Sequence, residues 1–259
     1  MSLGEGGGPP ALHLDGKRAT LTLRRPTHRN RLHRADLRQL QAQLEQVAAD
    51  TSLRVLVLTG TGPAFCAGFH LGELGQPEAA GTDPALFERT AAALAALALP
   101  TVARLNGGVF GGGVDLALAC DFRIGVEGMV LRMPAARLGL HYEPGGLRRA
   151  VARLGLQAAK RLFLVAEPLD GAELLRLGCL DALVPPGQLD AEVDALCAAL
   201  QAGAPLAVQG MKATLDEIAL GHADPAPQRE RVARCAASAD LREGLAAVAA
   251  RRAPGFEGR

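Results

Sequence analysis

Between Leu32 and Ala49 the apolar side chains fall at Leu37, Leu40, Leu44 and Val47, three or four residues apart, so they share one helical face. That spacing predicts an amphipathic helix. The pattern changes at RVLVLTG (54–60), a short continuous apolar run closed by glycine, which predicts a strand buried on both faces. Ahead of both, ALHL (11–14) and RATLTL (18–23) flank Asp15-Gly16 and predict a hairpin. An alanine–leucine helix is expected over 86–98, a strand at TVARL (101–105), a helix over 112–120 and a strand at DFRIGV (121–126). This alternation argues for an α/β fold built from βαβ units with right-handed crossovers. Beyond Met133 helices dominate, at 147–154, 157–165, 170–177, 188–202, 206–220, 227–236 and 240–251, with one short strand near 180–184. An α/β core followed by a helical C-terminal third is the expected organisation.

Charge and cysteine content narrow the picture. The chain carries 28 Lys plus Arg against 27 Asp plus Glu, a balance that gives no electrostatic reason to expect nucleic acid or an anionic membrane as partner. No stretch approaches the roughly 18 uninterrupted apolar residues of a membrane span. Residues 1–10, MSLGEGGGPP, lack the apolar centre of a signal peptide and read as a flexible start, so a cytoplasmic protein is expected. The five cysteines are scattered, with no CxxC pair and no histidine at ligand spacing, so no zinc or other metal site is expected.

Two glycine-rich segments carry the candidate chemistry. GTGPAFCAGFHLGEL (60–74) follows the 54–59 strand, and NGGVFGGGVDLALACD (106–121) follows the 101–105 strand. Open α/β folds bind ligands at the carboxyl ends of their strands. Glycine turns on neighbouring strands can aim two backbone N–H groups at one oxygen, forming an oxyanion hole, and the 112–120 helix adds its positive N-terminal end. The same glycines also suit tight turns and close helix packing, and both readings stand on these residues alone. Neither segment matches GxGxxG in a nucleotide-binding context or GxxxxGK[ST].

AFCAGFHL (64–71) followed by NGGVFGGGVDLALACDFRI (106–124) resembles the enoyl-CoA hydratase/isomerase (crotonase) superfamily. ATLTLRRPTHRNRL (19–32), RLGLHYEPGGLRRAVARLG (137–155), PLAVQGMK (205–212) and SADLREGLAAVAARRAPGFEGR (238–259) extend the likeness over nearly the whole chain from about residue 11. The resemblance implies a crotonase-like spiral of ββα units over 11–200 and a C-terminal helical oligomerisation region over 201–259. It further implies a homotrimer or a dimer of trimers. The implied substrate is an acyl-CoA thioester, with coenzyme A part of the substrate and no separate cofactor. Carried over by motif, the oxyanion donors are the backbone N–H groups of Phe69 and Gly112. Implied substrate contacts are Ala67, Gly68, His70, Leu71, Gly111, Ala135, Leu140 and Tyr142, with Arg24 and Arg29 toward the CoA phosphates.

The resemblance also locates the proton-moving groups. The hydratases of this family use two glutamates; here Asp115 stands at the first position and Ala135 at the second. Alanine transfers no proton. Glu143 falls where the Δ3,Δ2-enoyl-CoA isomerases of the family carry their catalytic glutamate. The leading expectation is therefore a double-bond isomerase with Glu143 as acid/base. Two alternatives stand beside it: a hydratase using Asp115 and Glu143, and an acyl-CoA-binding member without turnover, which Ala135 favours. Asp115 is either a second acid/base or a structural group at the start of its helix. His70 and His141 flank the site, and hydrogen-bonding roles are the ordinary ones for lone histidines.

Overall fold

A computed structural model of the chain describes residues 7–74, 85–221 and 224–259. The hairpin forms as the pattern predicts. Strands β1 (Gly8–Asp15) and β2 (Arg18–Arg24) pair antiparallel, and Gly16 takes the left-handed conformation that the tight turn requires, at φ +54°. Gly8–Pro10, expected within the flexible start, instead belong to β1, while residues 1–6 lie outside the described residues. Helix α1 (Arg34–Ala49) buries Leu37, Leu40, Leu44 and Val47, the face that the spacing picks out. Strand β3 (Val55–Gly60) is buried at every position, as a central parallel strand must be.

From β3 onward the chain repeats one manoeuvre. A strand crosses the first sheet, the chain turns sharply, and a three-residue strand joins a second sheet. In this way β3 leads to β4 (Ala64–Cys66), and then to helix α2 (Leu86–Ala95). Strand β5 (Thr101–Leu105) leads to β6 (Gly108–Phe110) and helix α3 (Gly112–Ala119). Strand β7 (Phe122–Val126) leads to β8 (Val130–Arg132) and helix α4 (Pro144–Leu164). These are three ββα turns of a spiral. Helices expected at 147–154 and 157–165 run as α4, broken at Gly155, whose φ of 76° and ψ of 159° are non-helical.

The chain continues through β9 (Leu169–Asp170), α5 (Gly171–Arg176), β10 (Ala182–Val184), α6 (Leu189–Gln201), α7 (Pro205–Ala219), α8 (Pro225–Ala237) and α9 (Ala239–Ala250). The first sheet has the order β1-β2-β3-β5-β7-β10, parallel from β2 onward; the second has the order β4-β6-β8-β9. Leu21, Leu56, Leu58 and Leu105 form the floor between sheet and helices, each at most 2% exposed. Burying such a side chain stabilises the fold by about 1.5–3 kcal/mol.

The helical third docks on the core through Lys212 of α7, whose Nζ sits 2.7 Å from Asp121 Oδ2 and 3.0 Å from the Leu99 carbonyl oxygen. The same helices leave apolar side chains in solvent: Met211, Leu215, Ile218, Val232, Leu245 and Val248 are 57–79% exposed. Among the described residues no single helix is long and apolar enough to cross a membrane.

Candidate active site

Strands β3 and β5 are parallel neighbours in the first sheet, and their continuations β4 and β6 are parallel neighbours in the second. The glycine turns that follow therefore lie side by side. A Cβ on Gly68 would stand 2.5 Å from Gly112 N and 2.9 Å from the Phe110 carbonyl oxygen, and Gly68 has φ +83°. Only glycine permits that approach. The three glycines of the second turn have separate reasons. Gly111 adopts φ +51°, Gly112 lies under the Phe87 ring, 2.4 Å from where its Cβ would be, and Gly113 abuts Cys66.

Backbone pairing decides which N–H groups are free. Leu32 N donates to Gly68 O and His70 N donates to Leu32 O, each at 2.8 Å, so Phe69 between them directs its own N–H to the opposite side. Gly112 is the first residue of α3 and has no intrahelical acceptor. Neither N–H donates to a backbone acceptor among the described residues. The hole's neighbours are inert. Burial pushes the Cys66 thiol up to about 12, which leaves it a protonated packing group.

Both turns open into a cavity of about 450 Å³. Leu71, Leu86, Phe87, Leu138 and Leu140 make its walls apolar, and Glu88, Asp115 and Glu143 bring carboxylates to it. A second cavity, of about 740 Å³, lies between α1, α2 and the start of α7, away from the glycine turns.

The carboxylates differ in their partners. Asp115, 2% exposed, receives Arg149 Nε at 2.7 Å on Oδ1 and Arg149 Nη2 at 2.9 Å on Oδ2, with Tyr142 Oη donating to Oδ2 at 3.3 Å. Arg149 Nη2 also donates to Glu88 Oε2 at 2.9 Å. Burial disfavours the charged guanidinium, but the hydrogen bonds and charge of Asp115, with those of Glu88, outweigh it and hold Arg149 above its ordinary pKa. Burial first, then the Asp115 charge, raises Tyr142 well above the usual phenol range, so its hydroxyl stays a donor. Glu143 is the N-cap residue of α4, exposed at the cavity mouth, and its side chain has no hydrogen bond or ion pair among the described residues.

Of the residues singled out by sequence, Ala67, Phe69, Leu71, Gly111, Gly112, Asp115, Ala135, Leu140, Tyr142 and Glu143 line the one cavity, as does His141. Gly68 sits behind the wall. His70 is turned aside, its ring stacked 4.5 Å from His33, while His33 Nδ1 lies 2.5 Å from Glu73 Oε1. Arg24 bonds the Pro9 carbonyl oxygen, and Arg29 lies 5.8 Å over the Phe110 ring, so only the second stands near the cavity rim. Glu88 and Arg149 carry no signal in the sequence, since 61 residues separate them and neither stands out in its helix. The same holds for the His33, His70 and Glu73 group. Its potential ligand atoms lie within 4.8 Å of one another, but Arg34 N donates to Glu73 Oε2 at 3.0 Å and the histidine rings are stacked, which describes a hydrogen-bonded clamp.

The sequence pattern of the enoyl-CoA hydratase/isomerase family matches residues 17–259. The chain belongs to that family. This crotonase-family enzyme is 33% identical over 242 residues to 2,3-dehydroadipyl-CoA hydratase of Escherichia coli, covering 92% of the chain and 94% of that protein. It is 30% identical over 250 residues to crotonyl-CoA hydratase of Syntrophomonas wolfei, covering 95% and 96%. Among solved structures, an enoyl-CoA hydratase/carnithine racemase from Magnetospirillum magneticum superposes with a TM-score of 0.91 at 28% identity, covering 97% of this chain and 96% of that one. The crotonase fold and an acyl-CoA-directed hydratase/isomerase chemistry follow from these likenesses.

Proposed function

We propose that this crotonase-family enzyme moves a double bond in an enoyl-CoA thioester, with Glu143 as the acid/base and the N–H groups of Phe69 and Gly112 as the oxyanion hole. One observation carries the reading. Glu143 lines the cavity and its carboxylate has no partner among the described residues, whereas Asp115 is held by Arg149 and Tyr142, and Ala135 offers no proton. Glu143 takes a proton from the substrate's α-carbon. The electron pair of that bond delocalises into the thioester, and the dienolate oxygen rests between the two N–H donors. Protonation at the γ-carbon by the same carboxyl group then completes the shift. Asp115 is a positioning residue: it anchors Tyr142 and Arg149 against the start of α3.

The apolar walls fit an acyl chain, and Arg29 at the rim suits a CoA phosphate. The apolar side chains exposed on α7, α8 and α9 fit a trimer contact. The test is turnover of a 3-enoyl-CoA, followed by the absorbance of the conjugated thioester. Glu143→Gln should slow turnover by at least about 100-fold, the usual contribution of a general acid/base. Full activity in that variant refutes the assignment, and tight binding of 2- and 3-enoyl-CoA without turnover by the unmodified enzyme supports a binding protein instead.

A further inference from the structure

Glu88 occupies a place in the site that its sequence position does not announce. It stands in the first turn of α2, next to Phe87, the ring that covers Gly112. Its Oε2 accepts from Arg149, while its Oε1 accepts no hydrogen bond among the described residues. That free oxygen lies over Gly145, where a Cβ would stand 1.8 Å from it. Gly145 is therefore the space in the first turn of α4 that Glu88 fills, two residues after Glu143. A carboxylate from α2 and another from the N-cap of α4 thus reach the same cavity. Both oxygens of Asp115 are engaged, so it is not the second member of this pair.

We propose that Glu88 is a catalytic base of this site, which holds and deprotonates a water molecule that adds to a 2-enoyl thioester. The proposal rests on the reading of Glu143 as the group that exchanges protons with substrate carbon. The water oxygen bonds to C3 while its proton passes to Glu88 Oε1, and the C2=C3 pair shifts toward the thioester as an enolate. The enolate oxygen lies between the N–H groups of Phe69 and Gly112. Collapse of the enolate takes a proton from the Glu143 carboxyl group at C2 and restores the carbonyl, for a net gain of one water. Glu88 then releases its proton to solvent. Hydration starts from enzyme with Glu143 protonated and isomerisation from enzyme with Glu143 ionised, and the two forms exchange through solvent at the exposed mouth. Arg149 fixes the orientation of Glu88 through the oxygen that does not react.

The test compares hydration of a 2-enoyl-CoA with isomerisation of the matching 3-enoyl-CoA in the full chain. Glu88→Gln keeps a carbonyl acceptor for Arg149, so the scaffold is retained. It should slow hydration at saturating substrate by about 100-fold or more and reduce the ratio of hydration to isomerisation at least about tenfold. Glu88→Ala should recover hydration on addition of formate, which a purely structural role would not allow. An unchanged ratio in Glu88→Gln, an equal loss of both reactions, or an unmodified enzyme that hydrates nothing overturns the proposal. Failure of the isomerase reading has a different signature: Glu143→Gln would isomerise like the unmodified enzyme.

Discussion

Replacing Asp115 by asparagine separates a group that holds the site together from one that moves a proton. The native carboxylate is 2% exposed and takes two hydrogen bonds from Arg149 and one from Tyr142. Asparagine retains one oxygen, and its amide must face a donor, leaving the guanidinium charge compensated by Glu88 alone. Removing one partner of a buried ion pair costs about 3–5 kcal/mol. With Glu88 still bonded to Arg149, the lower end applies, about 3 kcal/mol, or roughly two powers of ten in the folding equilibrium. Equilibrium urea unfolding at a fixed protomer concentration measures it. For a slope of about 3 kcal/mol/M the midpoint should fall by about 1 M. A loss below about 1 kcal/mol would refute the buried-pair argument. If turnover instead slows by about 100-fold or more with stability intact, Asp115 is a proton carrier.

Other consequences are equally open to measurement. Gly68→Ala forces a side chain into a left-handed backbone and against Gly112 N, so the enzyme should lose turnover by at least about 100-fold while CoA-ester binding weakens less. If the exposed apolar face of α7 and α8 makes the proposed trimer contact, Ile218→Asp combined with Val232→Asp should convert trimer to protomer in sedimentation. At the C-terminus, hydrogen bonds from Arg252 and then from Gly255 N lower the Glu243 carboxyl from 4.5 to about 2. A depressed carboxylate stabilises the fold above its unfolded value and loses that effect as pH falls through its folded one. The segment after α9 should therefore become susceptible to an acid-active protease between pH 4.5 and about 2, and Glu243→Gln should remove that dependence.

The parts of the fold that burial dictates are legible in the chain. RVLVLTG, short, β-branched at Val55, Val57 and Thr59 and closed by glycine, reads as a strand covered on both faces, and the α1 face is written in the spacing of Leu37, Leu40, Leu44 and Val47. The second sheet is not legible, because strands of three residues are too short to show a period. The pattern places Gly155 in a gap between two helices, and the structure makes it a single non-helical residue inside α4. The cavity-lining residues fall largely on the expected motifs, since consecutive turns carry them. The polar wiring does not: Glu88, Asp115 and Arg149 come from three helices, and nothing local links a carboxylate to an arginine 34 or 61 residues away.

The pairing of β4 with β6 has a consequence for how such a chain changes over generations. The separation of the two glycine turns is set by the ordinary distance between hydrogen-bonded strands, about 4.8 Å, and by no side chain. The grip on a thioester oxygen is therefore insulated from most substitutions. Of the carboxylates around it, Glu143 at the mouth of α4 has no side-chain partner among the described residues and is replaceable alone, whereas Glu88 on α2 and Asp115 on α3 share Arg149. A lineage built on this frame explores new reactions by exchanging single acids and bases, without having to reinvent the anchor that makes any of them possible.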